Sequence, residues 1–458
     1  MRVFVERCSG YEEERLDRAL EPWTDLFRER IAKGNTVAVK PNWLAHCHKF
    51  DPGEWESVIT HPNLITAVLK IVLGALGGSG RVVIADAPQT NSDFEKIMER
   101  MRPERWVRMG REAGVEVSVL DLRDHAWTTE GDVLTSRRNL PGDPMGSTVC
   151  DLAESSEFSG HSPSKRGYFG ADYDKEDTNR NHSNGHHRYK VSRSVIEADT
   201  FVCLPKLKTH KKAGITCSLK NLVGINTYKN WLPHHNEGTP AEGGDQFPDS
   251  TSKNHVESLL NERFKALLTR FPDLGKWMVP VKGLARKIFG DTRDTIRNGA
   301  WYGNDTLWRT VLDLNKILLY ANPDGTLRPE SQGSRKPYIS IVDGIVAGEG
   351  NGPEAPISRR AGLLIGGTNP VAVDLVCARL MGFDWTKISS LSNALAIRRY
   401  PLADFAWDDV VMVWSDSKGA LRLSEIGLEE SLRFRAHFGW AGHIELAPRP
   451  VAARTSVR

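Results

Sequence analysis

The chain has 458 residues, of which 40% are hydrophobic and 26% charged, which is the composition of a folded globular protein. Its 61 basic and 58 acidic side chains leave a net charge of +3, so global electrostatics give no reason to expect a nucleic-acid partner. At this length we expect two domains or one large, elaborated α/β domain.

The six cysteines are scattered and form no C-x-x-C pair, which argues against a zinc ribbon or an iron–sulfur cluster bound by this chain alone. The N-terminus has no apolar signal segment, and no stretch approaches the roughly 20 apolar residues of a membrane span. We therefore expect a cytoplasmic protein without a membrane partner.

The N-terminal part alternates strand and helix patterns, which is typical of parallel βαβ units. Strands are predicted at 35–39, 81–85 and 115–120, and an apolar helix at 62–76. Similar patterns return near the C-terminus, with strands at 338–342 and 363–365 and a helix at 371–381. We predict an α/β fold of mostly parallel sheets with flanking helices, two lobes and two long insertions.

The insertions are recognised by their composition. Residues 124–190 are rich in Ser, Gly, Asp, Arg and His, and we expect a partly ordered surface excursion rather than core. The predicted segments are an α/β lobe at 1–123, a polar insertion at 124–200, a site-forming strand-loop-helix at 201–228, a largely helical insertion at 229–335, an α/β lobe at 336–447 and a mobile tail at 448–458.

The segment FVCLPKLKTHKKAGITCSLKNLVGIN, residues 201–226, carries the strongest functional signal. An apolar strand stops at Pro205, a cationic loop around His210 follows, and a helix is expected from Thr216 with Lys220 one turn inside. Ligands of α/β sheets gather at the carboxyl ends of strands, and a helix N-terminus favours anions. The segment therefore predicts the floor of a site for a small anionic molecule.

Residues at the carboxyl ends of parallel strands meet at one edge of a sheet, so the candidate site residues can be assembled there. The catalytic candidates are His210, Lys220 and His61. The candidates for holding an anion are Lys40, Asn42, Lys206, Lys208, Asn221 and Asn351, and the candidate metal ligands are Asp86, Asp343 and Glu349.

The chemistry of two of these residues is distinctive. The lysines around His210 are expected to lower its pKa, which favours a general base or a metal ligand over a cation. Lys220, early in a helix, either pairs with an anion or loses its proton and becomes a nucleophile, unless it is only a solvated surface lysine.

Several common cofactors lose support from the sequence. There is no G-x-G-x-x-G, Walker A or G-x-S-x-G motif, so no nicotinamide or flavin cofactor is expected. The pair His234-His235 is a weak metal signal, because neighbouring residues of an extended chain point to opposite sides. A divalent metal, nickel or magnesium, stays a candidate through the three carboxylates.

Taken together, these motifs resemble the family catalogued as domain of unknown function 362. The matching stretches are VAVKPNW (37–43), THP with its helix (60–76), RVVIADAP (81–88), LPKLKTHKKAGITCSLKNLVG (204–224), DGIVAGEGNGP (343–353) and NPVAVDLVCARLMGFD (369–384). Some members of that family carry a ferredoxin-like cysteine cluster, which this chain lacks, so the resemblance implies no built-in redox role.

A second, local resemblance concerns the nickel-pincer lactate racemases. The order His210, Ala213-Gly214 and then Lys220 is similar to a pattern in those enzymes, where the lysine tethers an organometallic cofactor and the histidine carries a proton. Thr60-His61 is similar to a Thr-His before a helix there. The match departs at Ser218-Leu219, where those enzymes have two glycines.

The expected function is an enzyme that acts on a small anionic or hydroxylated substrate by isomerase- or epimerase-like proton transfer, with a metal or a lysine-tethered cofactor as an option. The alternative is a non-catalytic binding or accessory protein for phosphorylated sugars or polysaccharide precursors. Thirteen tryptophans suit sugar stacking, although many lie in helical patterns typical of core.

Overall fold

The computed structural model describes residues 1–130, 133–249, 296–332, 335–414 and 419–448. The strands are β1 (Arg2–Arg7), β2 (Thr36–Pro41), β3 (Arg81–Asp86), β4 (Glu116–Asp121), β5 (His125–Glu130), β6 (Val133–Asn139), β7 (Ser147–Asp151), β8 (Tyr168–Gly170), β9 (Arg188–Ser192), β10 (Thr200–Leu204), β11 (Lys206–His210), β12 (Gly214–Thr216), β13 (Pro233–Asn236), β14 (Tyr338–Glu349), β15 (Ile357–Gly367), β16 (Val411–Trp414) and β17 (Ala420–Arg422). The helices are α1 (Glu13–Leu20), α2 (Thr24–Arg30), α3 (Pro62–Leu76), α4 (Phe94–Met101), α5 (Glu104–Glu112), α6 (Lys175–Asn181), α7 (Arg193–Ile196), α8 (Ser218–Asn221), α9 (Leu307–Tyr320), α10 (Pro370–Met381) and α11 (Ser389–Ala394).

One mixed sheet of eleven strands organises the described residues. Its order is β17-β16-β1-β15-β14-β10-β2-β3-β4, with β11 and β12 attached beside β14. The strands β14, β10, β2, β3 and β4 run parallel, whereas β15 is antiparallel to both of its neighbours. The predicted α/β class with a mostly parallel sheet is confirmed.

The central strands of the sheet are buried on both faces, which explains why β2, β3 and β10 are apolar except at their ends. Along β10, Phe201 and Cys203 pack on one face, and Val202 and Leu204 on the other, as the two-residue period of a strand requires. Helices α1, α2, α3 and α5 cover the second of these faces, and α9, α10 and α11 cover the first. This two-sided burial leaves the ends of the parallel strands as the place for a site.

Two expectations for residues 201–226 are wrong. The cationic run after Pro205 is the buried strand β11, not a loop, and it pairs with β14 on one side and β12 on the other. The helix expected from Thr216 is the four-residue helix α8, which begins at Ser218. Lysine charge did not prevent strand formation, because the neighbouring strand supplies a carboxylate at Asp343, directly opposite Lys206.

The first insertion is better ordered than expected. It forms two small sheets of its own, β5–β6 and β7–β9, and its strand β8 pairs with β13 of the second insertion. Phe158, Tyr168 and Tyr189 are buried within it, so it has a core where the polar composition predicted surface. Of the second insertion, residues 250–295 lie outside the described residues, as does the tail from 449. The predicted domain boundaries stay a prediction.

No helix among the described residues combines the length and the apolar content that crossing a bilayer requires.

Two helical glycines give a test of this packing. Gly74 in α3 has nothing within 4 Å of a Cβ built on it, so Gly74→Ala should raise the free energy of unfolding by about 0.5–1 kcal/mol. Gly110 in α5 is the matched control, because its Cβ would lie 2.3 Å from Val117 Cγ2, so Gly110→Ala should destabilise. Urea denaturation of both variants measures the difference, and equal shifts would contradict the packing of α5 on β4.

Candidate functional site

A cavity of about 750 Å³ lies at the carboxyl edge of the parallel strands. Its floor comes from the ends of β2 and β3, and its walls include residues 169–173 of the first insertion and the start of the second. A cavity of this size suits a small-molecule ligand. The predicted site residues that line it are His210, Lys220, Lys40, Asn42, Asn221, Asn351 and Asp86.

A buried ion pair forms the floor. Nζ of Lys40 lies 2.7 Å from Oδ1 of Asp86, and it also donates to the Pro41 carbonyl and to Oδ1 of Asn221. The second oxygen of Asp86 accepts the backbone N–H of Trp43 at 2.7 Å. Both charges are satisfied within the protein, so Lys40 and Asp86 shape the floor and Lys40 is not a free cation.

Gly224 covers this pair. A Cβ on Gly224 would lie 1.9 Å from Asp86 Oδ1 and 2.6 Å from Lys40 Nζ, so only a glycine lets the backbone approach this closely. The carbonyl of Gly224 also accepts the N–H of Ala87 at 2.8 Å. The close contact leaves no room for a metal ion against this face of the Asp86 carboxylate.

His210 presents a donor to the cavity. Its Nδ1 accepts the backbone N–H groups of Lys212 and Ala213, both at 3.1 Å. Burial, and next the charge of Lys220, hold the pKa of His210 well below its usual range, so the ring is neutral. A neutral ring whose Nδ1 accepts carries its proton on Nε2. The general-base or metal-ligand role expected for His210 is therefore corrected to that of a hydrogen-bond donor.

His234 has the opposite tautomer. Its Nδ1 donates to the Leu232 carbonyl at 2.9 Å, so in the neutral ring Nε2 keeps its lone pair. Burial, and then the charges of Lys212 and Lys220, hold the pKa of His234 well below its usual range. His234 lines the same cavity as His210. From the sequence, His234 was only part of a weak metal signal. Its Nε2 is identified as a proton acceptor because the Leu232 carbonyl fixes the proton on Nδ1.

Lys220 stands out among the lysines of this region. Within the described residues its Nζ has neither a hydrogen-bond nor an ion-pair partner, and the side chain is half-buried in the cavity wall. Burial, and then the charge of Lys40, lower the pKa of Lys220 to about 8.

The N-terminus of α8 is occupied by Asp374, whose carboxylate accepts the N–H groups of Ser218 and Leu219 at 2.7 and 2.9 Å. The helix end therefore binds a side chain of the protein itself.

Lys229, at the start of the second insertion, is a lining residue that sequence reasoning missed. Among the described residues its buried Nζ donates to two carbonyls, those of Val223 at 3.2 Å and Asn226 at 3.3 Å. Burial lowers the pKa of Lys229 to about 7, with Lys40 and Lys220 adding to the shift and Asp86 opposing it. The one local sign in the sequence is its position, six residues before His235 at the start of the second insertion.

Lys206, Lys208 and Asp343 lie outside the cavity lining. Nζ of Lys206 is 2.6 Å from Oδ2 of Asp343, and both side chains have 0% exposure. Tyr11 donates to the other oxygen of Asp343 at 2.7 Å. Lys208 is buried and donates to the Val58 carbonyl. The structure therefore gives these residues internal partners in place of the anion-binding and metal-binding roles expected of them.

His61 also lies away from the cavity lining. It is the N-cap of α3: its Nδ1 accepts the N–H of Asn63 at 3.1 Å, and its own N–H donates to Asp343 at 2.9 Å. Its ring stacks on Tyr11 with centroids 3.7 Å apart. Burial lowers the pKa of His61 to about 4. These contacts make His61 a support of the strand ends, and a catalytic role there has no geometric basis.

The three candidate metal ligands are not brought together. Glu349 is paired with Arg359 at 2.6 Å and accepts the N–H of Arg435 at 3.0 Å, while Asp86 and Asp343 are each bound to a lysine. Among the described residues, the group with metal-ligand spacing is instead the buried set Cys217, Asp374 and Cys377. Burial raises the pKa of both thiols, which disfavours the thiolates that a metal needs.

The remaining predicted residues meet the cavity in different ways. Asn221 makes two hydrogen bonds to Lys40: its Oδ1 accepts from Nζ, and its amide nitrogen donates to the Lys40 carbonyl at 3.1 Å. Asn42 is buried, and its Oδ1 has no hydrogen-bond partner in the part of the chain that the structure describes, whereas Asn351 is exposed at the rim. From the first insertion comes Asp172, held by Trp127 Nε1 at 2.7 Å and His125 Nε2 at 2.9 Å. No tryptophan is among the described lining residues.

A family model described as a domain of unknown function (DUF362) matches residues 37–149 and 155–379. Among the curated proteins, no match is found.

Two solved structures are similar at low identity. One is a protein from Thermotoga maritima, a structural genomics target, at 12% identity and TM-score 0.28, covering 76% of this chain and 53% of that one. The other is the lactate racemase apoprotein from Thermoanaerobacterium thermosaccharolyticum, at 11% identity and TM-score 0.30, covering 74% and 50%. The chain thus spans about half the length of each of these two proteins.

Two lysines test the assignment of Lys206 to a structural ion pair and of Lys220 to the cavity. Lys206→Met would leave the buried Asp343 carboxylate without its cation and should lower the free energy of unfolding by about 3–5 kcal/mol. Lys220→Met removes a half-buried cation that has no partner within the described residues, so we expect a change within about 0.5 kcal/mol or a gain in stability. Urea denaturation compares the two, and a similar loss in both would contradict the assignment of Lys220 to the cavity.

Proposed function

The chain belongs to the family described as a domain of unknown function (DUF362), and we propose from its cavity that it is an enzyme of isomerase or epimerase type acting on a small anionic or hydroxylated substrate. One observation carries this proposal. Two neutral imidazoles of opposite tautomer, His210 and His234, line the same cavity beside the unpaired Lys220. A donor and an acceptor placed together are what a proton shift on carbon requires.

Substrate binding would rest on cations. Lys220 and Lys229 both line the cavity and lack a carboxylate partner of their own among the described contacts. An anionic group held there would offset the lysine charge that lowers the pKa of His234, and that makes His234 a stronger base once the anion is bound. Binding and base strength are coupled in this way.

Proton transfer would divide between the histidines. His234 Nε2 is the lone pair that can take a proton from a carbon next to a carbonyl or carboxylate group. His210 Nε2–H would donate to the oxygen on which negative charge develops, and a neutral donor in a buried position does this without being consumed. With a single lone pair available, the same imidazole would return the proton, as in a shift between neighbouring carbons.

The proposal includes a possible cofactor attached to Lys220. Lys220, an amine without a partner, fits the attachment point of a lysine-tethered cofactor, whereas Asp86, Asp343 and Glu349 do not fit a metal site because each already binds a cation. A tethered organometallic group would supply acceptance and return of the substrate hydrogen. Intact mass and metal analysis of protein from its native host tests this, and an unmodified, metal-free chain would exclude it.

The second candidate function is a binding or accessory protein for phosphorylated sugars or polysaccharide precursors. The cationic lining favours it as much as it favours catalysis. Its original support from tryptophan stacking is weaker, because the described lining offers Phe and Tyr side chains but no tryptophan. Binding without turnover is the result that would favour it.

Isotope exchange tests the enzymatic proposal. In D₂O we expect the protein to place deuterium on the carbon next to the carbonyl or carboxylate of a substrate found in a panel of hydroxy acids and sugar phosphates, measured by NMR. His234→Gln should reduce the exchange by about 10²–10⁴-fold, since the proton acceptor is lost. His186→Gln is the control: this exposed histidine pairs with Asp151 outside the cavity lining, and its loss should leave exchange unchanged. Tight binding with no exchange of any panel member would contradict catalysis.

The lysine pKa values predict how anion binding depends on pH. Sulfate keeps its charge between pH 6 and pH 9, whereas Lys229 and Lys220, with pKa values of about 7 and about 8, lose theirs in that interval. The protonated lysines bind the anion, so affinity should be highest below pH 7 and should fall as the pH rises past 8. Titration calorimetry measures this, and Lys220→Met should flatten the upper part of the profile. A profile without slope would contradict the role of these lysines.

A further inference from the structure

The buried lysines near the sheet edge differ in one respect. Lys40 and Lys206 are each bound to a carboxylate, and Lys208 and Lys229 donate to backbone carbonyls. Lys220 alone of these five has no acceptor within the described residues, although its side chain is half-buried. A partly buried ammonium without an acceptor is costly, so at this position Lys220 loses its proton more easily than an exposed lysine does.

The surroundings of Lys220 point the same way. The charges that act on it are those of Lys40 and Lys211, which disfavour the ammonium, and that of Asp86, whose carboxylate already binds Lys40 at 2.7 Å. Burial and these charges lower the pKa of Lys220 to about 8, so about a tenth of it is a free amine at pH 7. A free amine in a cavity is a nucleophile.

We propose that Lys220 forms an imine with the carbonyl carbon of a small anionic carbonyl compound, which is the substrate class of this site. The inference rests on the proposed function, because it names what undergoes the proton shift. The Nζ lone pair attacks the carbonyl carbon to give a carbinolamine, and the carbon–oxygen bond then breaks. The two protons of the amine leave with the carbonyl oxygen as water, so no oxidant or reductant is needed.

The neighbouring groups match the steps of this reaction. His234 Nε2 accepts the proton that Nζ loses on attack and passes it to the departing hydroxyl, which restores its lone pair, and His210 Nε2–H donates a hydrogen bond to the carbonyl oxygen while it gains charge. Lys229 contributes the cation for the carboxylate or phosphate of the compound. The imine withdraws electrons from the adjacent carbon and so makes its proton easier for His234 to remove.

Borohydride trapping tests the inference on the full chain. Pyruvate in one arm and dihydroxyacetone phosphate in the other are incubated with the protein, reduced with sodium borohydride, and the adduct is located by peptide mass spectrometry. Pyruvate labelling would identify a carboxylate-bearing compound, and labelling by the other probe a phosphorylated one. We expect one adduct per chain on Lys220, formed about tenfold to a hundredfold faster than on the exposed Lys96, because burial lowers the pKa of Lys220 to about 8.

Two variants serve as controls. Lys220→Arg keeps the charge but cannot form an imine, so the adduct should disappear, whereas Lys96→Arg should leave it unchanged. Circular dichroism shows whether Lys220→Arg folds. If it does not, the location of the adduct in the unaltered chain by peptide mass spectrometry still decides the question. No adduct with either probe, or Lys220 labelled no faster than Lys96, overturns the inference.

The two proposals fail separately. Deuterium exchange that persists in Lys220→Arg overturns the imine and leaves the proposed function intact. A Lys220 adduct in a protein that exchanges no proton supports the imine and overturns the proton shift.

Discussion

The ion pair between Lys40 and Asp86 fixes the geometry on which the site depends. It joins the ends of two adjacent parallel strands, β2 and β3, and it is buried, with exposures of 1% and 3% for the two side chains. Asn221 of α8 hydrogen-bonds to Lys40 through both atoms of its amide, and Gly224 packs against the Asp86 carboxylate. The short helix that carries Lys220 is therefore held directly against the Lys40–Asp86 ion pair. Removing either charge would leave the other buried and unpaired, at a cost of several kcal/mol.

The sequence predicted most of the sheet and little of the detail at its edge. The apolar strands and the helix at 62–76 follow from periodicity, because burial on two faces demands uniformly apolar strands. The strand β11 could not be found this way, since Lys206 and Lys208 read as surface charges. The carboxylate that allows Lys206 to be buried lies 137 positions away at Asp343, and a local pattern contains no trace of it.

The chemistry of the histidines was also out of reach of the sequence. Whether an imidazole donates or accepts at Nε2 is decided by what meets Nδ1. For His210 these are two backbone N–H groups, and for His234 a carbonyl, so two identical side chains have opposite functions in one cavity. The predicted residues that line the cavity, such as Lys220 and Asn221, come from strand ends and from the segment after β10, where topology alone fixes the position.

The position of β1 in the sheet has a consequence for synthesis of the protein. This strand, residues 2–7, hydrogen-bonds to β15 at residues 363–366 and to β16 at residues 411–414. At a ribosomal rate of about 5–20 residues per second, β1 waits on the order of half a minute before either partner exists. Until then its apolar side chains Val3 and Val5, fully buried in the finished sheet, have no permanent cover. The nascent chain therefore exposes an unpaired strand edge for most of its translation.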